Sequence, residues 1–198
     1  MSGRLFDPKN THKLEDPERL VWMPPRDVVA MLRLRGGMSV ADIGPGSGFF
    51  TIPFARAVEP SGRVFAVDLQ PRMLEILGEK LRESGAPRNI QLVHGAAHET
   101  RLEEGTCDLV FMGNVWHELD DAAAFCREAA RILRPEGRLA ILDWRTDTPH
   151  PPGPPPDHRI AAADTAATLG SLGWNAAAPA HVGKYSYLVV AARPAAAR

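Results

Sequence analysis

The sequence predicts an α/β domain: a mostly parallel, doubly wound sheet with helices on both faces. Three observations predict it. Short β-branched apolar runs alternate with stretches of helical apolar spacing between residues 40 and 143, glycine and proline clusters punctuate the junctions, and the first junction is a glycine-rich turn. Such alternation gives parallel strands joined by crossover helices. Ligands of these sheets bind beyond the carboxyl ends of the strands.

Residues 1–16 are polar, contain Pro8 and read as a flexible N-terminal arm. Asp16 and Pro17 supply a cap and a first-turn proline, Pro24 and Pro25 interrupt, and Gly36-Gly37 ends the pattern. Two short helices are therefore expected over 17–22 and 25–34, inside a helical cap spanning 17–37. Val28, Val29, Leu32 and Leu34 give the second a face for the sheet. The first strand is expected over 40–43 and its helix over 49–58. Pro60-Ser61-Gly62 then turns the chain into a strand over 63–68 that ends in an acid. Pro71 opens a helix with Met73, Leu74, Leu77 and Leu81 on one face, closed near Gly85. Strands over 90–94 and 107–113 follow, then a helix over 121–134 and, through Pro135-Glu136-Gly137, a strand over 138–143. Residues 148–157 hold six prolines and a glycine, too stiff for a helix and too irregular for a strand, so 148–159 reads as a proline-rich loop placed to serve as a lid. A helix over 161–172 and strands over 174–182 and 184–192 bring the count to seven strands and complete a single domain of residues 17–192. The alanine-rich end, 193–198, is expected to be disordered.

A net charge of −1 provides no basic footprint for nucleic acid, so no nucleic-acid partner is expected. No run approaches the length of a membrane span and the first residues carry no apolar leader core, which makes a cytoplasmic protein the expectation. Cys107 and Cys126 lack metal-ligand spacing and read as small buried hydrophobes, with no metal site expected.

Residues 38–51 read M-S-V-A-D-I-G-P-G-S-G-F-F-T. Gly44, Gly46 and Gly48 open backbone conformations closed to residues with a Cβ and let a ligand approach the main chain. The free N–H groups of the following helix face that ligand. A dinucleotide fingerprint, G-x-G-x-x-G, requires its third glycine at position 49, where Phe49 stands. Asp42, just before the turn, suits a ligand with a cationic amino group and would repel a pyrophosphate. A tight turn without a ligand is the plainer alternative.

At V-A-D-I-G-P-G-S-G the chain resembles the first motif of the class I S-adenosylmethionine-dependent methyltransferases. The likeness extends over residues 17–192: F-A-V-D at 65–68, C-D-L-V-F-M-G-N-V-W-H-E-L at 107–119 and L-R-P-E-G-R-L-A-I-L-D-W at 133–144 are similar to later segments of that family. The resemblance implies a Rossmann-like sheet of seven strands with the last one antiparallel, and S-adenosylmethionine as cofactor. It implies that Asp42, Gly44, Gly46 and Gly48 hold the methionine end, that Asp68 accepts from both ribose hydroxyls with Leu69 beside the adenine, and that Asn114 lies beneath the cofactor. The plainer reading of Asp68 is a helix cap. Where the family often has Gly-Asp-Ala, this chain has Gly95-Ala96-Ala97, so the adenine would be held by backbone groups near Ala96 and Ala97, or by His98 or Glu99. P-E-R-x-x-W-x-P-P at 17–25 and H-R-I at 158–160 resemble small bacterial enzymes of the ubiquinone/menaquinone-biosynthesis type.

The function implied is S-adenosylmethionine-dependent methyl transfer to a small-molecule acceptor, with a homodimer as an allowed assembly. A cofactor-binding partner subunit without its own catalysis would carry the same motifs. An NAD-dependent oxidoreductase shares the early ones and is disfavoured by Phe49, Asp42 and the P-E-G turn. In-line displacement at a sulfonium carbon demands alignment and exclusion of water, and a base only where the nucleophile carries a proton. His117 is the candidate base, since an ordinary imidazole titrates near neutral pH, and a loop-capping histidine is the alternative. Trp22, Asp143, Trp144, His158 and Arg159 are the candidate substrate contacts, the tryptophans by stacking and Arg159 by receiving a carboxylate, with packing the plainer role for each tryptophan and a solvated side chain for Arg159.

Overall fold

The computed structural model describes residues 6–149 and 152–193. Helices α1 (Arg19–Trp22) and α2 (Pro25–Met31) precede β1 (Ser39–Ile43), α3 (Thr51–Val58), β2 (Arg63–Asp68), α4 (Pro71–Glu83) and β3 (Ile90–His94). Then come β4 (Cys107–Gly113), α5 (Ala122–Ile132), β5 (Leu133–Trp144), α6 (Ala162–Ser171), β6 (Asn175–Ala176), β7 (Ala180–Val182) and β8 (Ser186–Ala192). The sheet runs β3-β2-β1-β4-β5-β8-β6, with β7 also paired to β8. Strands β1 to β5 are parallel and β8 lies antiparallel beside β5. This is the mostly parallel, Rossmann-like architecture expected, with an antiparallel final strand. Among the described residues the strands number eight and not seven. Pro179, which has no N–H to donate to a ladder, splits the strand expected over 174–182 into β6 and β7.

All five residues of β1 are buried, as a central strand covered on both faces requires. Val40, Val64, Leu109 and Phe111 pack against Val28 and Leu32 of the α2 segment and Phe54 of α3. On the other face Ile43, Val67, Val110 and Ile141 meet Phe125 and Ile132 of α5 and Leu169 of α6. Phe54 and Phe111 meet edge-on with ring centroids 4.8 Å apart. Each such side chain contributes about 1.5–3 kcal/mol through burial.

Helix α5 starts on Asp121, whose carboxylate accepts from the Ala124 N–H at 2.8 Å, and stops at Ile132 because the chain turns directly into β5. The register shift between Cys107 and Leu109 absorbs the P-E-G segment into a bulge of that strand, which therefore begins five residues before the expected Arg138.

Residues 6–16, expected as a loose arm, are laid over the carboxyl edge of the sheet. Pro8–Glu15 is a 3-10 helix capped by Asp7. Glu15 pairs with Lys80 of α4 at 2.8 Å, and the Gln70 side-chain amide donates to the Phe6 carbonyl at 2.9 Å. Residues 1–5 of that arm and 194–198 of the expected tail lie outside the described residues. Among the described residues no helix is long and apolar enough to cross a membrane.

Candidate active site

The chain after β1 turns on three glycines with left-handed backbone, φ 70° at Gly44, 56° at Gly46 and 84° at Gly48. A Cβ on Gly44 would stand 2.6 Å from Val115 Cγ2, and one on Gly46 would stand 3.2 Å from Leu14 Cδ1, so the loop after β4 and the N-terminal segment close on this turn. Asp42 is buried beneath it and accepts from the Thr51 hydroxyl at 2.6 Å, which braces the end of β1 against the start of α3. Burial drives its carboxyl up to about 7, the Thr51 bond opposing and the Asp68 charge adding.

Asp68 ends β2 with the Gln70 N–H donating to its Oδ1 at 2.8 Å. Burial raises it to about 6 against that bond and the charge of His94. Leu69 beside it is half exposed. At the end of β3, Ala96 and Glu99 exchange both backbone hydrogen bonds, at 3.1 and 3.0 Å. The Ala96 N–H is therefore already committed, Ala97 packs on the core, and His98 and Glu99 face solvent.

The loop after β4 holds Asn114 with φ 59°, its N–H donating to the Leu142 carbonyl at 2.8 Å and its side-chain amide pointing at Met23 Sδ, 3.2 Å away. The buried Asn114 Oδ1 has no partner among the described residues. The 3-10 turn Trp116–Glu118 then carries His117 to the end of β5. There His117 Nδ1 lies 2.8 Å from Asp143 Oδ1 and 3.0 Å from Oδ2, and the His117 backbone N–H also donates to Oδ2, at 3.0 Å. On the far edge of the ring Nε2 is 3.9 Å from Glu118 Oε1. Burial pulls the imidazole down, but the bond to Asp143 and the charges of Asp143 and Glu118 outweigh it and the opposing Arg159, and the group titrates above the usual histidine value. Burial lifts Glu118 to about 7 in spite of His117 and a hydrogen bond from the Phe6 N–H.

Of the candidate substrate contacts, Asp143 and Trp144 are buried at the end of β5. Asp143 is turned to His117 and to the Trp144 N–H at 2.7 Å. Arg159 stacks 5.7 Å from the Trp144 ring and donates to the carbonyls of Arg145, Pro152 and Pro154, so it ties the proline loop down onto β5. His158 ends the 3-10 turn Pro156–His158 in that loop, whose residues 150 and 151 lie outside the described residues. Trp22 meets Tyr185 edge-on at 6.3 Å. Sequence reasoning missed Thr51, Gln70 and Glu118. Glu118 was within reach, as the W-H-E triplet puts an acid next to the singled-out histidine, whereas the tie from Gln70 to Phe6 leaves no local signal.

Three carboxyl groups with raised proton affinity, Asp42, Asp68 and Glu118, thus stand at the ends of β1 and β2 and in the turn after β4, and a cationic ligand rich in hydroxyl donors would relieve them. A pyrophosphate would be repelled. Among the described residues no group of three His, Cys, Asp or Glu side chains is arranged to hold a metal ion.

Comparison with known proteins identifies the family. The model of a family described as "Methyltransferase domain" matches residues 41–141. A demethylmenaquinone methyltransferase from Listeria welshimeri is 30% identical over 128 residues, 65% of this chain and 53% of that protein. A ubiquinone/menaquinone biosynthesis C-methyltransferase from Pasteurella multocida is 34% identical over 111 residues, 56% of this chain and 41% of that protein. The chain thus spans about half the length of the curated relatives it matches. The crystal structure of an S-adenosylmethionine-dependent methyltransferase from Aquifex aeolicus superimposes with a TM-score of 0.90 at 32% identity, covering 96% of this chain and all of that one. With a family match over the central strands and a full-length structural relative at that identity, this chain belongs to the class I S-adenosylmethionine-dependent methyltransferases.

Proposed function

We propose that the protein transfers the methyl group of S-adenosylmethionine to a small-molecule acceptor that loses a proton as it is methylated. The observation that carries the reading is the arrangement at the carboxyl ends of the parallel strands: a left-handed glycine turn after β1, a buried acid at the end of each of β1 and β2, and an unpartnered Asn114 oxygen and His117 in the loop after β4. These residues fit the cofactor. Asp68 has lone pairs left for a vicinal diol, the Asn114 oxygen suits an amino group, and the left-handed glycine turn lets a ligand approach the main chain closely. When bound, the cofactor would supply a methyl group on a sulfonium sulfur, which would keep the S–C electron pair on transfer. His117 Nε2 takes the proton the acceptor releases, and Asp143 stabilises the imidazolium that results. Gly44, Gly46 and Gly48 fix the line of approach, and residues 6–16 with the proline loop exclude water. The names of the relatives make demethylmenaquinone the first acceptor to try.

Calorimetry is expected to show binding of S-adenosylmethionine and of its demethylated product, with no response to NAD. The reverse pattern overturns the reading. A labelled-methyl assay with demethylmenaquinone and other small acceptors then separates an enzyme from a binding subunit. Asp68→Ala is expected to weaken cofactor binding roughly tenfold or more, since charge-assisted hydrogen bonds contribute about 1.5–3 kcal/mol each before screening. Because Asp68 must be ionised to accept from the ribose, and its carboxyl titrates at about 6, wild-type affinity should fall as pH drops through that value. Part of that fall should vanish in the variant. Equal affinity of the two proteins at pH 8 would assign Asp68 to its contact with the Gln70 N–H alone.

A further inference from the structure

Asp143 was expected to reach the substrate, and its carboxylate is occupied otherwise. Its Oδ1 accepts from the Trp144 N–H at 2.7 Å and its Oδ2 from the His117 N–H at 3.0 Å, while both oxygens lie within 3.0 Å of His117 Nδ1. The group is 1% exposed, on the last turn of sheet before the chain leaves β5. A carboxylate flanked by two backbone donors has only acceptor capacity to offer the ring, so Nδ1 must be the nitrogen that carries hydrogen. The opposite nitrogen, Nε2, then holds the lone pair, on the side of Glu118 and the N-terminal segment that covers the cofactor cleft. We infer that Asp143 is a positioning residue, which holds the proton of neutral His117 on Nδ1, orients the ring, and so makes Nε2 the base of the reaction.

This inference rests on the base reading of His117 and adds what that reading leaves open: which nitrogen acts, and what keeps it available. A neutral imidazole free to choose its tautomer would carry hydrogen on Nε2 for part of the time and could not accept a proton there. The charged groups facing the ring are Asp143 from β5, Glu118 from its own turn and Arg159 from the end of the proline loop. Two of the three are acidic, which favours the imidazolium formed when the acceptor's proton arrives. In the step itself the acceptor's X–H bond breaks, the proton goes to Nε2, the X–C bond forms and the S–C bond breaks. No further reactant is needed.

The test is nitrogen NMR of the imidazoles in 15N-labelled protein saturated with the demethylated cofactor, the His117 signals being assigned by their loss in His117→Gln. In the wild type above its pKa, His117 is expected to show a protonated Nδ1 and a bare Nε2, and to titrate above the ordinary value of about 6.5. In Asp143→Asn one of the two carboxylate oxygens, each within 3.0 Å of Nδ1, becomes an NH2 that donates and cannot accept, which weakens the hold on hydrogen at Nδ1. The proton is then expected to move to Nε2, as when an amide replaces the orienting carboxylate of a hydrolase triad. The His117 pKa should drop by about 1–3 units. Turnover should fall with cofactor affinity retained, and Asp143→Glu should restore part of it. A wild-type His117 with hydrogen on Nε2 overturns the inference whether or not the variants fold, and so does an Asp143→Asn protein with unchanged tautomer and pKa. Undiminished turnover in His117→Gln is a different failure, since it removes the base reading and this role with it while leaving the tautomer as found.

Discussion

His117→Ala is expected to lower methyl-transfer turnover by about 10²–10⁴, the usual contribution of a positioned general base, with cofactor affinity nearly unchanged. The separation follows from geometry. The ring is held by Asp143 at the end of β5, on the far side of the β4 loop from Asp68, and the glycine turn makes no use of it. The wild-type rate should fall as pH is lowered through the His117 pKa, because only the neutral ring can accept a proton. That pKa is raised above the ordinary value near 6.5 once the Asp143 bond and the acidic neighbours have outweighed burial, so the acid limb should lie on the alkaline side of it. If His117 serves only to cap the loop, the alanine variant loses the side-chain bond to Asp143 and keeps the backbone one. Such a protein would melt at lower temperature and keep its turnover per folded molecule. Initial rates across pH 5–9, normalised to the folded fraction, distinguish the two outcomes.

The parts of this site that could be read in the sequence are those whose signals are local. The glycine turn, Asp42 and Asp68 each follow a short apolar run, and strand–turn–helix periodicity alone puts them at the carboxyl ends of β1 and β2. The pairing of His117 with Asp143 could not be read, because it depends on register. Gly113 of β4 lies opposite Leu142 of β5, so Asp143 is one step past the paired residues and meets a 3-10 turn four steps past them, a coincidence that no spacing in either segment announces. Residues 6–16 are polar and aperiodic, and their order comes from tertiary contacts such as Glu15 with Lys80 and Phe6 with Gln70. The division of the 174–182 strand has a visible cause in Pro179, set within an alanine-rich run.

Gly44→Ala should be the costliest single change in the glycine turn, in both stability and affinity. At φ 70° an L-residue costs about 1–2 kcal/mol, and the added methyl would sit 2.6 Å from Val115 Cγ2. Valine is branched at Cβ and cannot swing a distant tip aside, so the β4 loop must shift, at about 1–3 kcal/mol for overpacking. Gly85→Ala isolates the backbone part, since Gly85 has φ 60° and nothing within 4 Å of its Cβ position. Denaturant unfolding is expected to give a loss of about 2–5 kcal/mol for Gly44→Ala and about 1–2 kcal/mol for Gly85→Ala. Only the first should also weaken S-adenosylmethionine binding, by more than tenfold, because displacing Val115 carries Asn114 with it and spoils the turn and the β4 loop together. Equal losses for the two variants would mean that the contact with Val115 relaxes without cost. Unaltered affinity in a folded Gly44→Ala protein would take the cofactor's methionine end away from this turn.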